Sequence, residues 1–194
     1  MMKRDTQASF LQSRTIREAV EDKTLVDPSR ISASDRRHAA VHEAGHIVVA
    51  RYLGLMTLQA EIRKIEPLDI SEKEWVGSIR CEAEGVASSK RRMVAVAGLV
   101  AEACWDGEYD VCEFFGSNPE RMSQSDWDLS GCLCGEPSKQ LLDAMEQVFE
   151  LLNREMGRLW NALLVEARDL IVRSRRDAAL FMDPMKGGSS GPVP

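Results

Sequence analysis

Polar and apolar positions change period several times along this chain. From Ser34 onward the spacing is helical: Ala39, Ala40, Val41, Val48, Val49, Tyr52 and Leu53 supply apolar faces, Ser34 or Asp35 is placed to cap, and Gly54 to stop. The period then shortens. "LQAEIRKIEP" and "WVGSIRCEA" alternate on either side of the polar "LDISEKE" and suit two short antiparallel strands. "SSKRRMVAVAGLVAEACW" returns to helix, with small residues that permit close approach to a neighbour, and "DGEYDVCEFFGSNPERMSQSD" reads as a loop-rich connection. Ser123 or Ser125 can cap a short helix starting around Asp126, which "GCLCGEPS" interrupts. From Pro137 to about Arg176, the residues Met145, Phe149, Leu152, Met156, Leu159, Leu163, Ala167 and Leu170 recur every three to four positions, which describes one long core-covering helix or a helical hairpin. The expected fold class is mostly α with a small antiparallel β element.

The flanks differ from this middle. Residues 1–33 are polar and mixed in charge, with a weak stripe of Phe10, Ile16 and Val20, and read as an arm; residues 34–178 form the domain; residues 179–194 end in "KGGSSGPVP" and are expected to be disordered. A chain of 194 residues can bury a core without a metal as its main support, so a metal would serve chemistry rather than folding. The net charge of -6, with Lys and Arg dispersed, argues against nucleic acid as a partner. No stretch resembles a signal peptide or reaches the roughly 18 apolar residues of a membrane span, so a soluble, cytoplasmic protein is expected, with no membrane partner. Neither G-x-x-x-x-G-K-[ST] nor G-x-G-x-x-G occurs, so no nucleotide is expected. The five cysteines are odd in number and lack C-x-x-C spacing, which predicts reduced, mostly buried thiols.

All three histidines fall in "RRHAAVHEAGHIVVARYLGL". On a helix, residues four apart differ by about 40° and rise about 6 Å, so His42 and His46 stand on one face and can grip one ion. Glu43 beside them is placed as general base for a metal-activated water, and zinc is the expected ion. Gly45 costs about 1 kcal/mol relative to Ala in a helix interior, so its presence asks for close packing. His38 is about 12 Å of axial rise from His46 and is assigned to the helix surface or to a supporting role. A catalytic zinc takes three protein ligands and an open position; with no histidine left, the third must be a carboxylate or a thiolate. Glu102 in "AGLVAEACW" and Asp126 or Asp128 in "SQSDWDLSG" qualify.

"AAVHEAGHIVVARYLG" resembles the zinc-peptidase domain of FtsH-type ATP-dependent proteases. Further motifs follow in the same order. "AVAGLVAEACW" is similar to the small-residue helix of that family, with Leu99 where an arginine is usual, and "QSDWDLS" is similar to the segment whose aspartate is the third zinc ligand. The likeness covers about residues 36–172. It implies a helical zinc-peptidase fold with Asp126 as third ligand in preference to Asp128 and then Glu102, and Glu102 as a residue that orients a ligand histidine. The ATPase module and membrane anchor of that family are not found in the chain, so the resemblance implies a stand-alone metallo-endopeptidase, ATP-independent by itself, acting on peptide or protein substrates; its oligomeric state is unassigned. A strand near "WVGSIRCEA" would offer an edge to extended substrate. The alternative is a non-catalytic or regulatory peptide-binding module that keeps the fold and the zinc site.

Overall fold

The computed structural model describes residues 28–65, 74–81, 84–117 and 119–181. The chain divides into two compact units between Ser34 and Asp35. Most of the expected arm and tail, residues 1–27 and 182–194, lies outside the described residues.

Helix α1 spans Pro28–Tyr52. It begins earlier than its apolar pattern suggested, so neither Ser34 nor Asp35 caps it; the Asp35 carboxylate instead accepts the backbone N–H of Glu74 at 2.7 Å. Its end is as read: Gly54 takes a left-handed φ of 76°, and the N–H groups of Gly54 and Leu55 return to the carbonyls of Arg51 and Ala50 at 3.0 and 2.9 Å. Strands β1 (Thr57–Lys64) and β2 (Trp75–Cys81) pair antiparallel, with Ile62 opposite Gly77 and Lys64 opposite Trp75. Helix α2 (Ser88–Asp106) follows, buried without interruption from Val94 to Cys104.

The segment read as loop-rich carries helix α3 (Val111–Ser117) and a 3-10 turn at Pro119–Arg121. The reason is tertiary. Phe115 is fully buried against the ring of Trp127, centroids 5.7 Å apart, and a chain anchored there gains more by satisfying its backbone in a helical turn than by wandering. Helix α4 (Gln124–Ser130) leads to α5 (Lys139–Leu152) and α6 (Trp160–Phe181), so the final apolar stretch is a hairpin. The break falls where Asn153 ends α5 and accepts the backbone N–H groups of Glu155 and Met156, both at 2.9 Å. Met156, counted into the apolar stripe, is therefore 85% exposed.

The core gathers α1, α2, α5 and α6, with Leu141, Met145, Leu152, Leu163 and Leu170 at 0–1% exposure. α2 packs on α3, α4 and α5, while α6 covers β1. Arg36 ties three elements together: its guanidinium donates to Ser174 Oγ at 2.6 Å and to the Ile171 carbonyl at 3.0 Å on α6, and lies 4.5 Å from the ring of Trp75 on β2. The domain is mostly helical with one described two-stranded sheet. Among the described residues no helix is long and apolar enough to cross a membrane. The cysteines are free thiols, but only Cys104 is buried; Cys81, Cys112 and Cys132 are half-buried and Cys134 is exposed, Cys132 and Cys134 lying in the turn between α4 and α5 and Cys112 on the short helix α3.

Candidate metal centre

The close approach that Gly45 asked for is visible. A Cβ at Gly45 would lie 2.4 Å from the Ala97 carbonyl oxygen and 2.7 Å from Ala101 Cβ, so α1 and α2 meet through small residues at backbone distance. That contact brings α2 under the histidine face of α1. A Cβ at Gly98 would lie 2.5 Å from both His42 Nε2 and His46 Nε2, so the space a side chain would fill is taken by the two imidazoles.

Each ring is oriented by its other nitrogen. His42 Nδ1 is 3.0 Å from Glu102 Oε1, and His46 Nδ1 is 2.6 Å from the Val94 carbonyl oxygen, both supplied by α2. A carboxylate and a carbonyl only accept, so both Nδ1 atoms carry hydrogen, and the two Nε2 atoms, 3.1 Å apart, are the ring nitrogens left to face an ion. Asp126, 7% exposed, closes the set from α4: its Oδ2 is 3.6 Å from His42 Nε2 and its Oδ1 is 3.5 Å from His46 Nε2. For metal–ligand bonds near 2.0–2.1 Å in tetrahedral geometry, donor atoms stand about 3.3 Å apart. The two Nε2 atoms, 3.1 Å apart, stand close to that edge, and each has an oxygen of the Asp126 carboxylate at 3.5 or 3.6 Å, so these three side chains could hold a cation.

Local sequence holds Asp126 in place. Ser123 is the N-cap of α4: its hydroxyl accepts the Asp126 backbone N–H at 3.2 Å and donates to Asp126 Oδ2 at 2.7 Å. The next residue, Trp127, is 1% exposed and anchors the helix in the core. The two other candidate ligands lie elsewhere. Asp128 is exposed and accepts from Gln124 Nε2 at 2.9 Å, while Glu102 engages the far nitrogen of His42 rather than Nε2. His38 lies outside the group as well, its Nε2 3.1 Å from Asp106 Oδ1 on α2. Among the described residues, His42, His46 and Asp126 are the group of His, Cys, Asp and Glu side chains whose ligand atoms come together, all within 4.8 Å.

The electrostatics of the group follow from burial among charges. Burial alone would lower the His42 pKa, but the carboxylates of Asp126 and Glu102 outweigh it and hold the imidazole up at about 10. Burial pushes Asp126 upward, yet the His46 and His42 rings and the Ser123 hydroxyl bring it down to about 2. Glu43 is raised by burial, with His46 and His42 opposing the rise. It is 5% exposed, and its Oε2 has no hydrogen-bond partner among the described residues. A buried carboxylate oxygen without a partner costs about 1–3 kcal/mol or more, which suits a group whose partner arrives with the reaction.

The centre opens into a cleft of about 550 Å³ bordered by every residue of β2 and by Arg121, Ser123, Ser125 and Leu129. Sequence reasoning named neither the Val94 carbonyl nor Ser123 as a support of the centre. The first carries no side-chain signal at all; the second was visible as a cap, and the S-x-x-D spacing was the available clue to its second role. No protein-family model matches this chain, and no curated protein matches it.

Proposed function

We propose that the protein is a zinc-dependent peptidase, ATP-independent by itself, that hydrolyses peptide bonds in extended protein segments. The observation that carries the reading is the convergence of two oriented imidazole nitrogens and the Asp126 carboxylate, with Glu43, whose Oε2 has no hydrogen-bond partner among the described residues, lining the same cleft. The resemblance of "AAVHEAGHIVVARYLG" to FtsH-type peptidase domains supports the same conclusion from an independent direction.

His42, His46 and Asp126 would hold the ion. When bound, zinc supplies Lewis acidity toward water and toward a carbonyl. Glu102 and the Val94 carbonyl hold the Nδ1 side of each ring and so keep both Nε2 atoms aimed at the ion's place. Glu43 takes a proton from the attacking water and delivers it to the amine that leaves, and burial raises its affinity for that proton toward the range a general base needs. β2 pairs with β1 along one edge and borders the cleft along its length, so an extended substrate would add to it by backbone hydrogen bonds.

The test uses the purified full chain. We expect about one zinc per chain by elemental analysis and cleavage of an unfolded casein-like substrate that stops on chelation. Glu43→Gln should retain zinc and lose turnover by about 100-fold or more. Turnover unchanged in Glu43→Gln would exclude the mechanism; zinc without turnover in the wild type would leave the peptide-binding module as the function.

A further inference from the structure

β2 presents alternate faces. Trp75, Gly77, Ile79 and Cys81 lie on one side, buried or half-buried, whereas Ser78 and Arg80 on the other are exposed. In the middle of the inward row is a residue without a side chain, and the space in front of it is filled. A Cβ at Gly77 would stand 2.3 Å from Glu43 Cγ, 2.3 Å from Oε1 and 2.5 Å from Cδ. Distances that short are impossible between non-bonded atoms, so the Glu43 carboxylate occupies the place of the missing side chain.

Backbone conformation does not account for glycine here. Among the described residues the glycines with positive φ are Gly54, Gly85, Gly107, Gly131 and Gly135, so Gly77 has a backbone that alanine accepts. It is paired in register with Ile62, itself 4% exposed, in the interior of the hairpin, where glycine is otherwise unfavourable. The Glu43 side chain, for its part, has an Oε2 with no hydrogen bond to fix it, so contact with the strand does the work a hydrogen bond would do. β2 is in turn held to α1 through the Asp35 carboxylate and Arg36.

We propose that Gly77 is a positioning residue for the general base: its missing side chain forms a slot in β2 that holds the Glu43 carboxylate over the metal centre. The role as a base rests on the peptidase reading; the slot does not. Because β2 also borders the cleft, the strand that would seat the substrate also aims the base, and a Cβ at Gly77 would push on the Glu43 side chain rather than on the strand's backbone.

The test is a double-mutant cycle on the zinc-loaded full chain, with a casein-derived fluorogenic peptide for turnover and thermal melting for stability. Gly77→Ala should keep one zinc per chain and a KM within about twofold, while kcat falls about 100-fold, because a base misplaced by about 1 Å loses its geometry without loosening substrate. Its Tm should fall by about 3–10 °C from overpacking. In a Glu43→Ala background, which empties the slot, Gly77→Ala should leave Tm unchanged or raise it. A wild-type kcat in Gly77→Ala, or a Tm loss that persists in the Glu43→Ala background, would overturn the proposal. Should Gly77→Ala be insoluble, a soluble Gly77→Ala/Glu43→Ala chain supports the slot and an insoluble one refutes it. Should the wild type cut no peptide, the peptidase reading fails on that result alone, and the melting cycle still decides whether Gly77 holds Glu43.

Discussion

Zinc binding should expel one proton from His42. In the metal-free chain this imidazole lies between two carboxylates, with Nδ1 3.0 Å from Glu102 and Nε2 3.6 Å from Asp126, and although burial lowers its pKa those carboxylates hold it up at about 10. At pH 7 it is therefore an imidazolium, and Nε2 must be deprotonated before it can donate to a metal. Three pH units at about 1.4 kcal/mol each make the cost about 4 kcal/mol of intrinsic affinity. Apparent zinc affinity should rise about tenfold per pH unit from pH 7 to 8.5. Asp126, brought down to about 2, is already ionised and adds no proton. The assay is titration calorimetry in buffers of differing ionisation enthalpy, carried out on Glu43→Gln so that the raised Glu43 carboxyl cannot contribute. The slope of observed enthalpy against buffer enthalpy should report about one proton released per zinc. A slope near zero at pH 7 would refute the argument, since His42 would then be neutral before the metal arrives. The same pair sets the pH dependence of the metal-free fold. His42 has a folded pKa raised from 6.5 to about 10, so its contribution to stability is complete below 6.5 and is lost as pH rises through about 10. Asp126, lowered from 3.8 to about 2, contributes above 3.8 and loses that contribution as pH falls through about 2.

Other residues around the centre give separable outcomes. Asp126→Ala should lower zinc affinity by about 100-fold or more, measured by chelator competition, while Asp128→Ala, whose carboxylate is exposed and bonded to Gln124, should leave it within about twofold; equal losses would contradict the assignment of α4. Glu102→Gln should cost 10–100-fold in zinc affinity, because the ring of His42 loses the charged acceptor that aims it, and an unchanged affinity would remove Glu102 from the centre. Trp127→Ala, 1% exposed and packed on Phe115, should destabilise the chain by about 3–5 kcal/mol in urea unfolding and weaken zinc binding through α4; a loss below about 1 kcal/mol would mean α4 is not anchored there.

Much of this arrangement was legible in the order of residues, because it depends on local periodicity. Helical spacing places His42, Glu43 and His46 on one stretch of α1 whatever surrounds it, and alternation marks β1 and β2. The S-x-x-D cap likewise belongs to four consecutive residues, 123–126. The stretch 106–126 looks loop-rich for the opposite reason: helix α3 within it forms because Phe115 finds Trp127 twelve residues on, a contact with no local signature. Ser34 and Asp35 look like caps by composition, yet the helix runs through them and Asp35 serves β2 instead.

Local periodicity therefore sets which side chains share a helix face, and composition sets which residue types could complete the site. Choosing among Asp126, Asp128 and Glu102 needed tertiary structure. The three lie on α2 and α4, and only packing decides that Glu102 meets the Nδ1 side of His42, that Asp128 faces solvent and that Asp126 reaches both Nε2 atoms. The three glycines make the same point: Gly45, Gly98 and Gly77 are each explained by atoms 34 to 56 positions away in the chain, because the absence of a side chain acquires meaning only from what fills the space.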